Sequence, residues 1–252
     1  MRVIFIHHSC FLVEVDEKVL IFDWFGGDRV NDYHFGGVIP EYEPDTPLYV
    51  FASHKHQDHF DMDVLRWAER YTDIHYILSK DCKMSPNFLK KHGIAPDVRE
   101  KICYVSPMEK YEVGGLHIET LRSTDAGVAF YVETNGVSFF HAGDLNNWKW
   151  EGAGDFVNGM MEANYKAQIK RLSRRKIHLA FVPADPRLEE NQFLGLDYFM
   201  KHTDADYVFP MHMWRDYSGI KTYKKQISNA AMAERIVEIA CENQIFDILE
   251  EM

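Results

Sequence analysis

Three histidines and an aspartate lie within six residues of this chain, in the segment that begins at His54. The segment follows an apolar run, residues 48–52, which predicts a buried strand. Imidazole nitrogens and carboxylate oxygens are the usual protein ligands of zinc and related divalent ions. In an extended chain His54, His56 and Asp58 point to one face, and a turn at this point brings His59 beside Asp58. The spacing therefore predicts a metal site.

Two further candidate ligands stand at the ends of later strand-like segments. Asp144 comes shortly after residues 137–141, and His212 comes directly after residues 207–211. Loops at the ends of core strands are where α/β folds assemble their sites, because the scaffold is rigid there. Taken alone, such an aspartate is usually a turn residue and such a histidine a core or surface residue. Because the chain already contains a group of predicted metal ligands at residues 54–59, we interpret both residues as further ligands.

Composition restricts the classes of function. The chain has 252 residues, of which 46% are hydrophobic, and a net charge of −11. It has no basic tract for nucleic acid or an anionic membrane surface. Its four cysteines are widely spaced and are expected to be reduced thiols. Its sequence shows neither a signal peptide nor an apolar run long enough to span a membrane. We therefore expect a cytoplasmic protein with a small-molecule substrate and no nucleic-acid or membrane partner.

The pattern of strands and helices predicts one α/β domain over residues 1–252. Two strand-rich halves, each followed by helices, indicate two sheets with helices outside. Asn135 and Gly136 predict a tight turn between two strands. Helices are expected over residues 155–176 and 223–242, and the Gly- and Pro-containing loop 24–47 is a candidate lid.

The HxHxDH cluster, the glycine–aspartate at a strand end and the late His212 together resemble the metallo-β-lactamase-fold hydrolase superfamily. The likeness extends over the whole chain. The opening segment His7-His8-Ser9-Cys10-Phe11 and the HAGD form of the aspartate motif are most similar to the ascorbate-6-phosphate-lactonase-like branch. The resemblance implies a four-layer αββα sandwich with two metal positions. It also implies hydrolysis of a small, anionic ester, lactone or phosphoester by a metal-bound hydroxide, and self-association as a homo-oligomer.

The resemblance also implies a role for each candidate ligand. The first metal is expected on His54 and His56, the second on Asp58, His59 and His212, with Asp144 bridging the two. Asp58 is in addition the expected catalytic group, which steers the proton of the nucleophile. Asp23 and His141 are expected to orient the ligands rather than to bind metal, with the alternative that His141 is only a core residue of its strand.

One position departs from the family pattern, which places another first-metal histidine before the glycine–aspartate. The corresponding segment here is residues 121–127, and it contains no histidine. His117 lies in mid-strand and too early, so Asp125 is the best substitute. We expect one or two zinc ions per chain. The carboxylate of Asp125 would shift the preference of the first site from zinc toward manganese or iron. The alternative is that Asp125 only caps the turn and the first site is weak.

Substrate identity is the least determined property. Arg187, Trp214 and Arg122 are candidate substrate-binding residues, because a planar guanidinium or an aromatic wall suits a carboxylate or phosphate. Phosphodiester cleavage of RNA or lipid, metal-based redox chemistry and a non-catalytic metal- or ligand-binding protein remain as alternatives.

Overall fold

The computed structural model of the protein describes residues 1–26 and 30–248. These residues form two compact units, each built on one sheet. The first unit is Met1–Ser106 with the chain from Glu242 onward, and the second is Pro107–Cys241. Both sheets mix parallel and antiparallel strands and are accompanied by helices, which confirms the predicted α/β class. The division into domains, one over residues 1–252, stays a prediction.

The first unit contains a seven-stranded sheet. Its strands are β1 (Arg2–His7), β2 (Cys10–Val15), β3 (Lys18–Phe22), β4 (Leu48–Ala52), β5 (Ile74–Ser79), β6 (Ile102–Val105) and β13 (Gln244–Asp247). Their spatial order is β13-β1-β2-β3-β4-β5-β6. β1 and β3 are both antiparallel to β2, and β4 is parallel to β3. The carboxyl ends of β1, β3 and β4 therefore meet at one edge of the sheet.

The helices of the first unit are short. They are the 3-10 helices Met62–Glu69, Lys80–Cys82 and Pro96–Lys101, and the α-helix α1 (Pro86–Lys91). Ser85 caps the start of α1, since its hydroxyl accepts the backbone N–H of Phe88.

All five residues of β4 are buried. Val50 belongs to the hydrophobic cluster that also contains Ile4 and Ile21. The neighbouring Phe51 points to the opposite face, where its ring stacks on Phe22 with 4.6 Å between the ring centres. A strand buried on both faces matches the continuous apolar run of the sequence. The loop that carries His54, His56, Asp58 and His59 therefore begins at the end of a rigidly packed strand.

The second unit contains a six-stranded sheet. Its strands are β7 (Lys110–Val113), β8 (Leu116–Arg122), β9 (Val128–Thr134), β10 (Val137–His141), β11 (Lys176–Pro183) and β12 (Asp204–Met211), in the spatial order β12-β11-β10-β9-β8-β7. β10, β11 and β12 are parallel, and β8 shares their direction because β8 and β10 are both antiparallel to β9. Four carboxyl ends therefore lie along one edge.

The helices of the second unit follow its strands. They are α2 (Asp155–Ile169), the 3-10 helix Pro186–Asn191, α3 (Leu194–His202), α4 (Ser218–Gln226) and α5 (Ala230–Glu234).

The predicted turn between β9 and β10 is confirmed. Asn135 and Gly136 have φ angles of 47° and 82°. Two positive φ angles in succession are what a type I′ turn requires, and Asn-Gly adopts them at low cost.

The predicted helix over residues 223–242 is wrong. α4 ends at Gln226, and α5 is a separate short helix that begins after the Asn229 cap. Beyond α5 the backbone pairs with β12: Val208 donates its N–H to Arg235 and accepts that of Val237, each at 2.8 Å. Strand pairing therefore replaces the helix that the apolar spacing indicated.

Other boundaries also differ from prediction. The helix expected over residues 155–176 ends at Ile169, because Lys176 already pairs with Asp204 as the first residue of β11. The short, polar strands β7 and β13 were not predicted. In the candidate lid, the described residues 24–26 and 30–47 form no helix or strand, and their only β-pairing is an isolated bridge between Val30 and Tyr33. Residues 27–29 of the candidate lid lie outside the described residues.

A search for membrane-spanning helices among the described residues found none of sufficient length and hydrophobicity.

Two glycines of the second unit allow the same substitution to be tested with opposite expectations. A methyl group at Gly136 or Gly159 meets no atom within 4 Å, but Gly136 has a φ of 82° whereas Gly159 is helical. We expect Gly136→Ala to lower the free energy of unfolding by about 1–2 kcal/mol, the cost of a left-handed alanine. Gly159→Ala should raise it by about 0.5–1 kcal/mol. Urea denaturation measures both, and equal effects would contradict the turn.

Candidate metal centre

The loop after β4 keeps four predicted ligands of the first unit together. His54 and His59 are buried, Asp58 is half-buried and His56 is exposed. The ring centre of His54 lies 4.4 Å from that of His56 and 4.2 Å from that of His59. The backbone N–H groups of His59 and Phe60 both donate to the carbonyl of His56, at 3.0 Å. This turn brings His59 Nε2 to 3.8 Å from Asp58 Oδ2.

The buried carboxylate of Asp23, which directly follows β3, orients two of these histidines. Its Oδ2 lies 2.7 Å from His59 Nδ1 and 2.7 Å from Ser53 Oγ, and its Oδ1 accepts the Ser53 backbone N–H at 2.7 Å. Ser53 Oγ is also 2.9 Å from His54 Nδ1. An ionised carboxylate can only accept hydrogen bonds. His59 Nδ1 and the Ser53 hydroxyl therefore donate to Asp23, and the hydroxyl accepts from His54.

Both histidines are thereby held in one tautomer, with the proton on Nδ1 and the lone pair on Nε2. Metal-binding histidines characteristically donate the other ring N–H to a carboxylate or a polar group. Asp23 thus makes the contacts that its predicted orienting role requires. The part of Ser53 was not predicted, although its position directly before His54 places its hydroxyl beside that ring.

His8, which directly follows β1, reaches the same loop. Its buried Nε2 lies 3.3 Å from Asp58 Oδ2. One candidate ligand atom from each of His8, Asp58 and His59 lies within 4.8 Å of the other two. The preceding His7 instead packs on Phe25, with ring centres 4.3 Å apart, and burial lowers the pKa of its imidazole to about 4. The sequence alone did not indicate either histidine as a ligand; both belong to the opening segment that carries the family resemblance.

In the second unit, Asp144 and His212 follow the ends of β10 and β12. His212 Nε2 lies 3.4 Å from Asp144 Oδ1, and its Nδ1 lies 2.9 Å from Asp185 Oδ2. Asp185 follows β11, the strand between them, and is fully buried. It also accepts hydrogen bonds from Trp214 Nε1 at 3.2 Å and from Arg187 Nη2 at 2.6 Å.

Asp185 holds His212 as Asp23 holds His59. Burial alone would raise the pKa of the Asp185 carboxyl, but hydrogen bonds from His212 and Arg187 outweigh burial and keep this pKa well below its usual range. The ionised carboxylate accepts from His212 Nδ1, so the Nε2 lone pair is on the side of Asp144. The sequence alone did not predict this role for Asp185. The feature that indicates it is a carboxylate shortly after a core strand, as at Asp144.

The predicted substrate-binding residues lie in different settings. The guanidinium of Arg187 is bonded to Asp185 through Nε and Nη2 and lies 4.4 Å from the ring centre of Trp214. Trp214 is itself buried, whereas Arg122 ends β8 and is exposed. Arg187 and Trp214 thus share the carboxylate of Asp185, which follows β11, whereas Arg122 ends β8, three strands along the sheet. Their role in substrate binding stays a prediction.

Asp125 is exposed and lies in the turn after β8, where its backbone N–H donates to Ser123 Oγ at 3.2 Å. The adjacent Thr124 hydroxyl donates to the carbonyl of Asn146 at 2.6 Å and lies 3.4 Å from that of Asp144. The turn is therefore anchored to the loop that carries Asp144. His141 is buried and its Nδ1 accepts the N–H of Gly143 at 3.2 Å. This leaves the ring proton on Nε2, the tautomer opposite to that of His54 and His59.

The donors of each unit have the chemistry that a divalent ion requires. Their side chains offer imidazole nitrogens and carboxylate oxygens, and most of them are buried. Within the first unit the ligand atoms are close enough to share an ion, and orienting carboxylates occur in both units. The residues present therefore fit a metal.

A family model described as "Beta-lactamase superfamily domain" matches residues 2–151, more than half of the chain. The chain belongs to the metallo-β-lactamase superfamily, as the sequence predicted. The predicted fold is confirmed with it: two mixed sheets flanked by helices. The ascorbate-6-phosphate-lactonase-like branch stays a prediction.

Solved structures share this fold at low sequence identity. Igni18, a metallo hydrolase from the archaeon Ignicoccus hospitalis, is 16% identical with a TM-score of 0.64, covering 98% of this chain and 99% of that one. An isothiocyanate hydrolase from Delia radicum gut bacteria is 13% identical with a TM-score of 0.57 and the same coverage. CmlA, a diiron β-hydroxylase from Streptomyces venezuelae, is 12% identical with a TM-score of 0.55, covering 84% of this chain and 45% of its own. A comparison with curated proteins found no match.

The orienting role of Asp23 can be tested against a second aspartate–histidine pair in the same unit. Asp23→Asn removes the charge that holds His59 and Ser53, so we expect the affinity for zinc to fall about 10- to 100-fold. Asp73→Asn is the control, because Asp73 makes a similar contact with His75, at 3.0 Å, on the exposed surface. Competition with a chromophoric chelator measures both. Equal affinities for the two variants, with both folded by circular dichroism, would contradict the role of Asp23.

Proposed function

We propose that this chain is a metal-dependent hydrolase that acts on a small substrate with an anionic group, an ester, lactone or phosphoester. The observation that carries the proposal is the matched pair of contacts from Asp23 to His59 and from Asp185 to His212, at 2.7 and 2.9 Å. Each contact directs an Nε2 lone pair away from the orienting carboxylate. Metal-binding histidines characteristically have this arrangement, with the other ring N–H donated to a carboxylate.

The proposed ligands are those that the family resemblance implies, with Asp125 in place of the absent histidine. His54, His56 and Asp125 would hold the first metal, Asp58, His59 and His212 would hold the second, and Asp144 would bind both. Divalent ions bound there supply Lewis acidity, which activates water and stabilises negative charge on the substrate. Zinc suits the imidazoles, and the carboxylate of Asp125 favours manganese or iron at the first position. The diiron centre named for CmlA supports iron as a candidate in this fold.

Asp58 is the proposed catalytic residue. It is the half-buried member of its loop, so it is accessible to water while its neighbours His54 and His59 are enclosed. Its Oδ2 lies among the imidazole nitrogens of His8 and His59. The other carboxylate oxygen is then able to accept the proton of the attacking water.

Arg187 is the proposed anchor for the anionic group of the substrate. Its Nε and Nη2 atoms are engaged by Asp185, which fixes the guanidinium plane, and its side chain is still 41% exposed. A cavity of about 610 Å³ within the second unit is lined by Arg187, Lys149 and Trp150. The same cavity is lined by four carboxylates, of Glu151, Asp155, Glu189 and Glu190. This mixture suits a substrate with one small anionic group better than a polyanion such as RNA.

The metal assignment is tested by elemental analysis. We expect up to two divalent ions per chain, with one equivalent lost in His54→Ala and in Asp125→Ala, and a different one lost in His59→Ala. Hydrolysis should fall by several orders of magnitude in all three, since each removes a ligand of the proposed centre. Metal content unchanged in both histidine variants would contradict the assignment. Loss of metal in these but not in Asp125→Ala would make Asp125 a turn residue only.

Activity is tested on lactone, phosphodiester and thioester substrates. We expect turnover of at least one small anionic member, and its loss on treatment with a chelator. Metal binding without turnover of any member would favour the non-catalytic alternative. Cleavage of RNA or of a phospholipid alone would favour the phosphodiesterase alternative.

A further inference from the structure

We propose that His8 is a further ligand of the second metal, through Nε2, and that this makes the second position the tighter of the two. The inference rests on the proposed function, and it adds a ligand that the HxHxDH cluster does not contain. His8 enters the centre from a different strand. It follows β1, whose carboxyl end lies at the same sheet edge as those of β3 and β4.

The distances around Asp58 are those of ligands that share an ion. Two ligands at about 2.0–2.2 Å from one ion are separated by about 3–4 Å, depending on the angle between them. His8 Nε2 lies 3.3 Å from Asp58 Oδ2, and His59 Nε2 lies 3.8 Å from the same oxygen. Hydrogen bonds between a charged imidazole and a carboxylate are shorter, about 2.7–2.9 Å. Asp23 and His59 make such a short contact, at 2.7 Å, so the same loop contains both kinds of spacing.

The ring of His8 is held in place by aromatic neighbours. It lies edge-on to Phe35 and to Phe25, with ring centres 5.5 and 6.2 Å away, and edge-on to His59 at 5.8 Å. Its side chain has no exposed surface. A histidine that served only as a turn residue would be expected to direct its ring to solvent.

The backbone of His8 also indicates a selected side chain. His8 and Ser9 connect β1 to β2, and His8 has a φ of 49°, in the left-handed region. Glycine or asparagine occupies such a position at lower cost, and strained backbone of this kind clusters at functional sites. Metal binding by the imidazole at the sheet edge would explain why histidine occupies this position.

The additional ligand changes the balance between the two positions. In the proposed centre the second metal would have His8, Asp58, His59 and His212, four protein ligands besides the shared Asp144. The first would have His54 and His56, with Asp125 in place of the family histidine. We therefore expect the second position to fill first.

The experiment compares His8→Gln with His7→Gln. The two histidines are adjacent and both buried, and both rings contact Phe25 and Phe35, but it is His8 and not His7 that belongs to the group of close ligand atoms with Asp58 and His59. Zinc titration against a chromophoric chelator should show the tighter of two binding events weakened at least 10- to 100-fold in His8→Gln and unchanged in His7→Gln. The ligand-field absorption of bound cobalt should change in intensity and wavelength only in His8→Gln.

Tight binding within about threefold of the wild type, with an unchanged cobalt spectrum, would overturn the assignment of His8. If His59→Ala loses the metal in the same assay, the proposed centre stands without His8; if no variant, including the wild type, binds metal, the proposed function fails as well. Cadmium-113 and nitrogen-15 NMR of the wild type makes the result independent of folding of the variants. A one-bond coupling from cadmium to His8 Nε2 is expected, and its absence beside a coupling to His59 Nε2 would also overturn the inference.

Discussion

The hydrogen bonds of the Asp23 carboxylate are the constraint on which the first unit's part of the site depends. A charge with no exposed surface is costly unless hydrogen bonds surround it. Asp23 meets this requirement with the Ser53 N–H, the Ser53 hydroxyl and His59 Nδ1. These donors leave His54 and His59 one tautomer each. The same hydrogen bonds therefore stabilise the buried carboxylate and direct the lone pairs of His54 and His59 toward the proposed metal.

The two units apply the same rule with different residues. In each, polar side chains follow the carboxyl ends of strands that run in one direction, and a fully buried aspartate at the end of one strand orients a histidine from another. Asp23 and Asp185 are these aspartates, and His59 and His212 are the histidines. Asp185 differs in that it also fixes Arg187. In the second unit an orienting group and a proposed substrate anchor are thus connected through one carboxylate.

Sequence reasoning succeeded where one local pattern decided the structure. The apolar run of β4 and the Asn135-Gly136 turn each have a single physical interpretation, whereas metal binding by the HxHxDH cluster stays a prediction. Sequence reasoning failed where pairing with a distant segment decided the structure. Residues 235–237 were predicted to be helical, but the backbone there forms hydrogen bonds with Val208 of β12. Sequence reasoning could not tell which of His7 and His8 is the candidate ligand, because this depends on which of the two is the last residue of β1. The role of Asp185 depends on the order of strands in the sheet.

The most direct test of this account is the protonation of the histidine ring nitrogens in the metal-free protein. Nitrogen-15 NMR with two-bond proton correlations distinguishes the two neutral tautomers. The account predicts that His54, His59 and His212 carry their proton on Nδ1, with an unprotonated Nε2. A proton on Nε2 of His59 or His212 would contradict it, because the carboxylates of Asp23 and Asp185 would then not direct these side chains toward a metal.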